Sequence, residues 1–318
     1  MTFSSTKSEL QNESESARSI LVCPLCHGSL SWGSVAIECR ECGHSYSYEN
    51  GFPDLVIGER FADEPNEELT AYEEECNLYT AQNYFLPLFK DILGSQKRTP
   101  RILSLGCGTG ADVDVLSAAG FSVTGIDCGA RSAAWPNRVC KHSLLLANGK
   151  NLPFDSGTFD AVYCGCVFPH VGTIGDSHKV RPTYAEERAQ LALEMGRVLR
   201  PGGHIVVSSP NRNFPVDIFH GRSKEHPLPR LNPPSDPFLL SFRDYQQMFR
   251  PADCSGFSLL PIDGYWGFVR RKRSLKGRLS MIPVEAIFKL VSSRPAVALR
   301  SSPINPWLVV MATKAGAA

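Results

Sequence analysis

An open, doubly wound α/β sheet, mostly parallel and seven-stranded, is the fold class this sequence predicts. Three observations carry that expectation. Strand-like and helix-like segments alternate from 101 to 209, as they do where parallel strands are joined by helical crossovers. The first strand runs into a glycine-rich turn, Leu103-Ser-Leu-Gly106-Cys107-Gly108-Thr-Gly110, which opens a helix. Asp127 ends the second strand, 21 residues beyond Gly106, where doubly wound sheets hold a carboxylate against ribose hydroxyls.

The elements follow in chain order. Residues 1–19 are rich in Ser, Glu and Asn and predict a disordered tail. Residues 20–58 are dense in Cys, Gly and aromatics, and 59–99 read as an acidic linker followed by a leading helix from about Glu67. The domain proper spans 100–318, with strands at 101–106, 121–127, 143–147, 159–165, 204–209, 257–262 and 306–313. A helix fits 111–119, and a second fits 184–199, where Thr183 and Glu186 have capping-box spacing. Pro201-Gly202-Gly203 breaks that helix. The Pro- and Asn-rich stretch 210–240 reads as a lid, 241–250 as a short helix, and 264–305 as a basic insertion with a helix at 281–293.

Lys+Arg 33 against Asp+Glu 32 leaves a net charge of +1 over 318 residues. That balance argues against a surface built wholly for nucleic acid. The chain shows no secretory signal pattern and no run of apolar residues long enough to span a bilayer. Eleven cysteines therefore predict a reducing, cytoplasmic setting rather than a disulfide framework.

Four of those cysteines form two CxxC pairs, Cys23/Cys26 and Cys39/Cys42, separated by 12 residues. Two knuckles of this kind place four thiolates around one tetrahedral Zn²⁺ with no open position, a structural arrangement. The apolar content of so short a segment predicts that it folds only with its metal. His27 and His44 are neighbours of the site rather than ligands.

The glycine turn with Asp127 is compatible with a dinucleotide site or with another nucleoside-bearing cofactor. LSLGCGTG, GID, LPFDSGTFDAVYC and LRPGGHIVVSS, in that order, distinguish the two. Over roughly 100–210 they closely resemble the class I S-adenosylmethionine-dependent methyltransferases, in particular the small-molecule subgroup. The resemblance implies that Gly106, Cys107, Gly108 and Gly110 line the methionine part of S-adenosylmethionine and that Asp127 holds its ribose. Cys128 and Asn148 would flank the adenine, Asn148 standing where many relatives have Asp. Cys164 ends the fourth strand at the rim of the crevice.

The acceptor side is expected past the fourth and fifth strands. His170 is the candidate general base, and Asp217 with His220, on the loop after the fifth strand, is a candidate acid–base pair or a local turn bond. The expected activity is methyl transfer to a small polar acceptor: a hydroxyl of a sugar, a lipid-linked saccharide or a secondary metabolite. An rRNA or tRNA base methyltransferase is the alternative, set lower because the connection at 59–75 is acidic. A cofactor-binding regulator or assembly partner is a third. Residues 270–293 join a basic run to an amphipathic helix. A solvated charge run over a core-covering helix is favoured narrowly there over peripheral contact with the inner membrane surface or a lipid-linked substrate.

Overall fold

The structure of the protein, a computed structural model, describes residues 17–61, 63, 66–175, 177–217, 230–233 and 235–316. The expected tail lies outside the described residues up to position 16, as does His220. Four short strands come first: β1 (Leu30–Trp32), β2 (Ile37–Cys39), β3 (Ser45–Glu49) and β4 (Phe52–Asp54). Helix α1 (Glu67–Thr80) passes through a π turn (Ala81–Phe85) into α2 (Leu86–Leu93). The main domain then runs β5 (Arg101–Leu105), α3 (Ala111–Ala118), β6 (Ser122–Asp127), β7 (Leu144–Leu146), β8 (Phe159–Gly165), α4 (Tyr184–Val198) and β9 (Leu199–Pro210). After the hairpin β10 (Val216–Asp217) and β11 (Arg230–Leu231) come α5 (Phe242–Phe249), β12 (Cys254–Leu259), α6 (Leu275–Ser292) and β13 (Trp307–Lys314).

The seven expected strands pair in the order β7-β6-β5-β8-β9-β13-β12. The first five are parallel, and β13 runs antiparallel to both of its neighbours. The sheet does not stop at seven. Strands β1 to β4 form an antiparallel meander whose last member pairs parallel with β7 through Asp54 and Leu146, giving one mixed sheet of eleven strands. Leu55 N–H reinforces the junction by donating to Leu146 O at 2.9 Å. Leu144, Leu145 and Leu146 are all buried, and a bare edge of three leucines would be an aggregation site.

The core lies on both faces of the sheet. On one face Leu103, Leu105, Val162 and Val207 meet Leu191 and Met195 of α4; on the other Ile102, Tyr163 and Val309 meet Phe85, Phe89, Val113 and Phe288. Leu21, Ile37, Tyr46 and Leu55 of the cysteine-rich segment belong to the first of these clusters. Its apolar residues are thus not too few for a core. They share the core of the main domain, which a count over 20–58 alone could not show.

Local differences have local causes. Thr183 has φ −85° and ψ 3°, not the extended conformation a cap needs, and its hydroxyl donates to Glu187 Oε1 at 2.8 Å. No capping box forms there. One does form at Ser241 and Asp244, at the start of α5. Strand β12 begins three residues earlier than expected because Gly256, at φ +65°, bulges the strand and lets pairing continue on its far side. Helix α6 begins at Leu275, where the Ser274 hydroxyl accepts from Gly277 N–H, and runs through Pro283.

Candidate active site and cysteine cluster

The crevice forms at the carboxyl ends of β5, β6 and β8. Gly106 N–H and Cys107 N–H both donate to Ile126 O, at 2.9 and 3.0 Å, drawing the turn against β6. Gly106 has φ +69°, and a Cβ there would stand 2.4 Å from Val167 Cγ2, so only glycine fits. A Cβ on Gly108 would meet nothing nearer than Asn77 Nδ2 at 3.6 Å, so this wall of the cradle stays open. Behind the turn, Trp135 is fully buried and donates from Nε1 to Gly108 O at 2.8 Å. Phe52 of β4 packs edge-on against its ring at 5.2 Å.

Asp127 Oδ2 accepts from Gly108 N–H, and Oδ1 accepts from Cys128 and Gly129 N–H, each at 2.8 Å. Burial pushes its carboxyl above the ordinary carboxylate range, against the pull of these three bonds. The Cys128 thiol is pushed up to about 11, by burial first and by the Asp127 charge second. Asn148 is already engaged: Oδ1 accepts from Lys150 N–H at 3.0 Å and Nδ2 donates to Glu59 O at 2.8 Å. One lone pair on Oδ1 remains for a ligand. Cys164 faces the core with 1% exposure, because strand alternation puts it on the side of Val162. Its backbone, not its thiol, borders the crevice.

Glu59, Phe61 and Asp63 cross this rim as a strap. The Glu59 carboxylate pairs with Arg181 and with Lys150, the latter at 2.9 Å. Phe61 lies edge-on to His170 at 5.9 Å, and Asp63 accepts from Ala130 N–H at 2.8 Å and pairs with Arg131. Glu73 also pairs with Arg131, Glu74 with Arg138, and Glu75 with Arg270 and Arg273. Five acids of this stretch, Glu59, Asp63, Glu73, Glu74 and Glu75, are thus matched by cations.

On the acceptor side, His170 ends a short turn, Phe168–His170, with its ring edge-on to Phe238 at 5.4 Å as well as to Phe61. Cys166 has φ +57°, and the Tyr265 hydroxyl lies 2.6 Å from Ser208 Oγ beside the end of β8. Asp217 sits in β10 opposite Arg230, on the hairpin. Sequence reasoning passed over Glu59, Phe61, Asp63, Asn77 and Trp135. None carries a motif, and the arginine partners of Glu59 and Asp63 lie 122 and 68 residues away in the chain.

Away from the crevice, the thiol sulfurs of Cys23, Cys26, Cys39 and Cys42 all lie within 4.8 Å of one another. Cys23 and Cys42 are 3.8 Å apart, and Cys26 and Cys39 are 3.4 Å apart. Tetrahedral zinc with bonds of about 2.3 Å requires sulfur separations of about 3.8 Å. Burial pushes the Cys23 thiol up, but the Tyr46 hydroxyl and the N–H groups of Leu25 and Cys26 outweigh it and hold the thiol at about 7. The Gly28 N–H favours the Cys26 thiolate, yet the neighbouring Cys39 sulfur and burial push that thiol up to about 12. Four sulfurs so close resist ionising together unless a cation joins them, and the set fits a zinc ion.

A doubly wound sheet with one antiparallel strand, a glycine turn at its switch point and a carboxylate on the next strand define a Rossmann-like domain of the class I methyltransferase type. The match is specific: residues 103–207 fit the family described as methyltransferase domain. That stretch, about a third of the chain, matches as a methyltransferase domain. It is 30% identical over 152 residues to a probable tRNA methyltransferase 9B of Mus musculus, covering 46% of this chain and 31% of that one. A demethylmenaquinone methyltransferase of Tropheryma whipplei is 32% identical over 136 residues, covering 41% and 50%. A ubiquinone biosynthesis O-methyltransferase of Aromatoleum aromaticum is 25% identical over 168 residues, covering 49% and 61%. The chain spans between about a third and three-fifths of the length of these relatives.

The crevice fits the cofactor that this domain type uses. Besides the open cradle at Gly108, Thr109 Oγ1 and Asp112 Oδ1 are buried at the turn and the first turn of α3 without hydrogen-bond partners. Polar or cationic groups of a ligand would satisfy them.

Proposed function

We propose that the protein transfers a methyl group from S-adenosylmethionine to a hydroxyl of a small polar acceptor. The observation that carries this reading is the juxtaposition of the glycine cradle, closed on Asp127, with His170 at the far rim of the same crevice. Backbone groups of Gly106, Cys107, Gly108 and Gly110 would hold the methionine part, Asp127 the ribose, and Cys128 and Asn148 the adenine edge. The bound cofactor supplies an activated methyl on a sulfonium, so the protein's task is alignment and proton removal.

His170 takes the proton role. Phe61 and Phe238 meet its imidazole edge-on, which orients the ring so that a nitrogen would take the hydroxyl proton as the O–C bond forms and the S–C bond breaks, the electron pair leaving on sulfur as a neutral thioether. Asp217 and His220 remain a proposed second pair on the loop after β9. The four cysteines are proposed to hold one structural zinc. The test is mass spectrometry for a gain of one methyl group in metabolite, lipid and RNA fractions incubated with protein and cofactor. His170→Ala should slow turnover strongly while cofactor affinity stays within about twofold. Full turnover in that variant removes the histidine from the chemistry.

A nucleobase acceptor is the second reading, favoured by the tRNA methyltransferase among the relatives and by the pairing of Asp63, Glu73 and Glu74 with arginines. A methyl gain confined to the RNA fraction would select it.

A further inference from the structure

Helix α6 has two apolar faces. Met281, Phe288 and Val291 are buried, and the last two join the core cluster on one face of the sheet, so the helix does cover the core. The outward face is apolar as well: Leu275, Leu279, Ile282 and Leu290 are 69, 59, 58 and 51% exposed. At about 100° per residue these four fall within an arc of about 80°, with Ala286 inside it and Pro283 at its margin. Exposed cations border the arc, Lys276 on one side and Arg278 and Lys289 on the other. From Arg270 to Arg294 the chain carries eight Lys and Arg against one acid, Glu285. That acid is paired with Lys272 at 2.5 Å.

We propose that α6 lies flat on an anionic bilayer surface, with the leucine and isoleucine stripe in the headgroup–acyl boundary and the flanking cations among the lipid phosphates. Two features choose this partner. An RNA would engage the cations but leave the stripe in water, whereas a bilayer interface takes up both at once. The helix also lies on the membrane rather than across it: no described helix is long and apolar enough to span. The wheel places cations on both borders of the apolar arc, where side chains reach up to headgroups from a half-buried helix.

The same segment connects α6 to the crevice. Tyr265, whose hydroxyl meets Ser208, is followed by Trp266, which stacks on Phe268, and Phe268 packs against Phe288 of α6 at 5.8 Å. On the methyl-transfer reading, which this part of the inference rests on, docking favours an acceptor that itself resides in the membrane and presents a polar hydroxyl at its surface.

The test is co-sedimentation of the full chain with phosphatidylcholine vesicles, with and without phosphatidylglycerol, over a range of salt. It needs no methyl transfer, so its outcome is separable from that of the activity assay. Binding is expected to the anionic vesicles and to weaken with salt. Each of Lys276→Glu, Arg278→Glu and Lys289→Glu should lower affinity about fivefold or more. Combining Leu275→Ser, Leu279→Ser and Ile282→Ser should lower it by at least about tenfold. These positions are exposed, so an unchanged melting temperature and circular dichroism spectrum verify the fold of each variant. Absence of wild-type binding overturns the proposal, as does binding that survives loss of the apolar stripe, which would mark a general polycation. A protein that self-associates through the stripe and ignores vesicles also overturns it.

Discussion

Arg188 offers a demanding test of how the acceptor side is held together. It is 3% exposed, and its four bonds all go to backbone carbonyls: Pro237 O at 2.7 Å, Pro169 O at 2.9 Å, Phe238 O at 3.0 Å and Val171 O at 3.2 Å. One guanidinium thus joins α4, the turn that carries His170 and the end of the 210–240 stretch. Burial pushes it down to about 10, which leaves it charged at neutral pH. Arg188→Met keeps most of the volume and removes every donor. Each stranded carbonyl costs about 1–3 kcal/mol, and relief from burying a charge returns several. The net loss expected is therefore about 3–5 kcal/mol, in the range seen when one partner of a buried charged network is removed. Urea unfolding measures it as a lower midpoint at unchanged slope. Arg188→Lys, with three donors and no fork, should recover only part. In both variants turnover should fall further than cofactor affinity, because the Pro169 carbonyl belongs to the His170 turn and not to the glycine cradle. A loss below about 1 kcal/mol for Arg188→Met would refute the idea that this side chain holds the turn.

Asp127→Ala should weaken cofactor binding by about 10- to 100-fold in calorimetry, and unchanged binding would move the ribose elsewhere. Metal analysis should find one zinc per chain, and Cys39→Ser or chelation should lower the melting temperature; a zinc content near zero in reduced protein would dismiss the metal. Arg181, opposed by burial and aided by Lys150, holds the Glu59 carboxyl down at about 2, against an ordinary 4.5. Its stabilising effect is therefore fully present above about pH 4.5 and lost as the pH falls through about 2. The difference in melting temperature between wild type and Glu59→Gln should be modest, since Glu59 is 42% exposed. It should also be flat from neutral pH to about 5 and close towards pH 2.

Much of the main domain was legible because its signals are local. Alternation at 101–209, the glycines at 106, 108 and 110 and the carboxylate at 127 are properties of short windows, and the structure sets them side by side. The four-cysteine cluster was legible for the same reason. The strap was not: Glu59 finds Arg181 across 122 residues and Asp63 finds Arg131 across 68, and spacing carries no trace of such pairs. That pairing also weakens a reason for ranking nucleic acid low, since Glu59, Asp63, Glu73, Glu74 and Glu75 are matched by cations. Helix α6 was half legible. Periodicity identified an amphipathic helix at 281–293, and Phe288 and Val291 do face the core, but Ile282 is exposed, and Gly277 and Pro283 interrupt the pattern and hid the outward leucines. Cys164 illustrates a different gap, since a motif locates a residue in the chain and only strand alternation decides which way its side chain turns.

The pairing of β4 with β7 also bears on how the chain is made. Leu146 leaves the ribosome 92 residues after Asp54, its partner in the sheet, an interval of about 5–20 s at ordinary synthesis rates. Through that interval the cysteine-rich segment lacks the main-domain core that its Leu21, Ile37, Tyr46 and Leu55 share, and the proposed zinc would be what holds it in shape. A chain deprived of metal then would complete its main domain with three buried-type leucines left as an open strand edge. On the proposed zinc reading, metal shortage would therefore be felt first by newborn chains, as aggregation during synthesis.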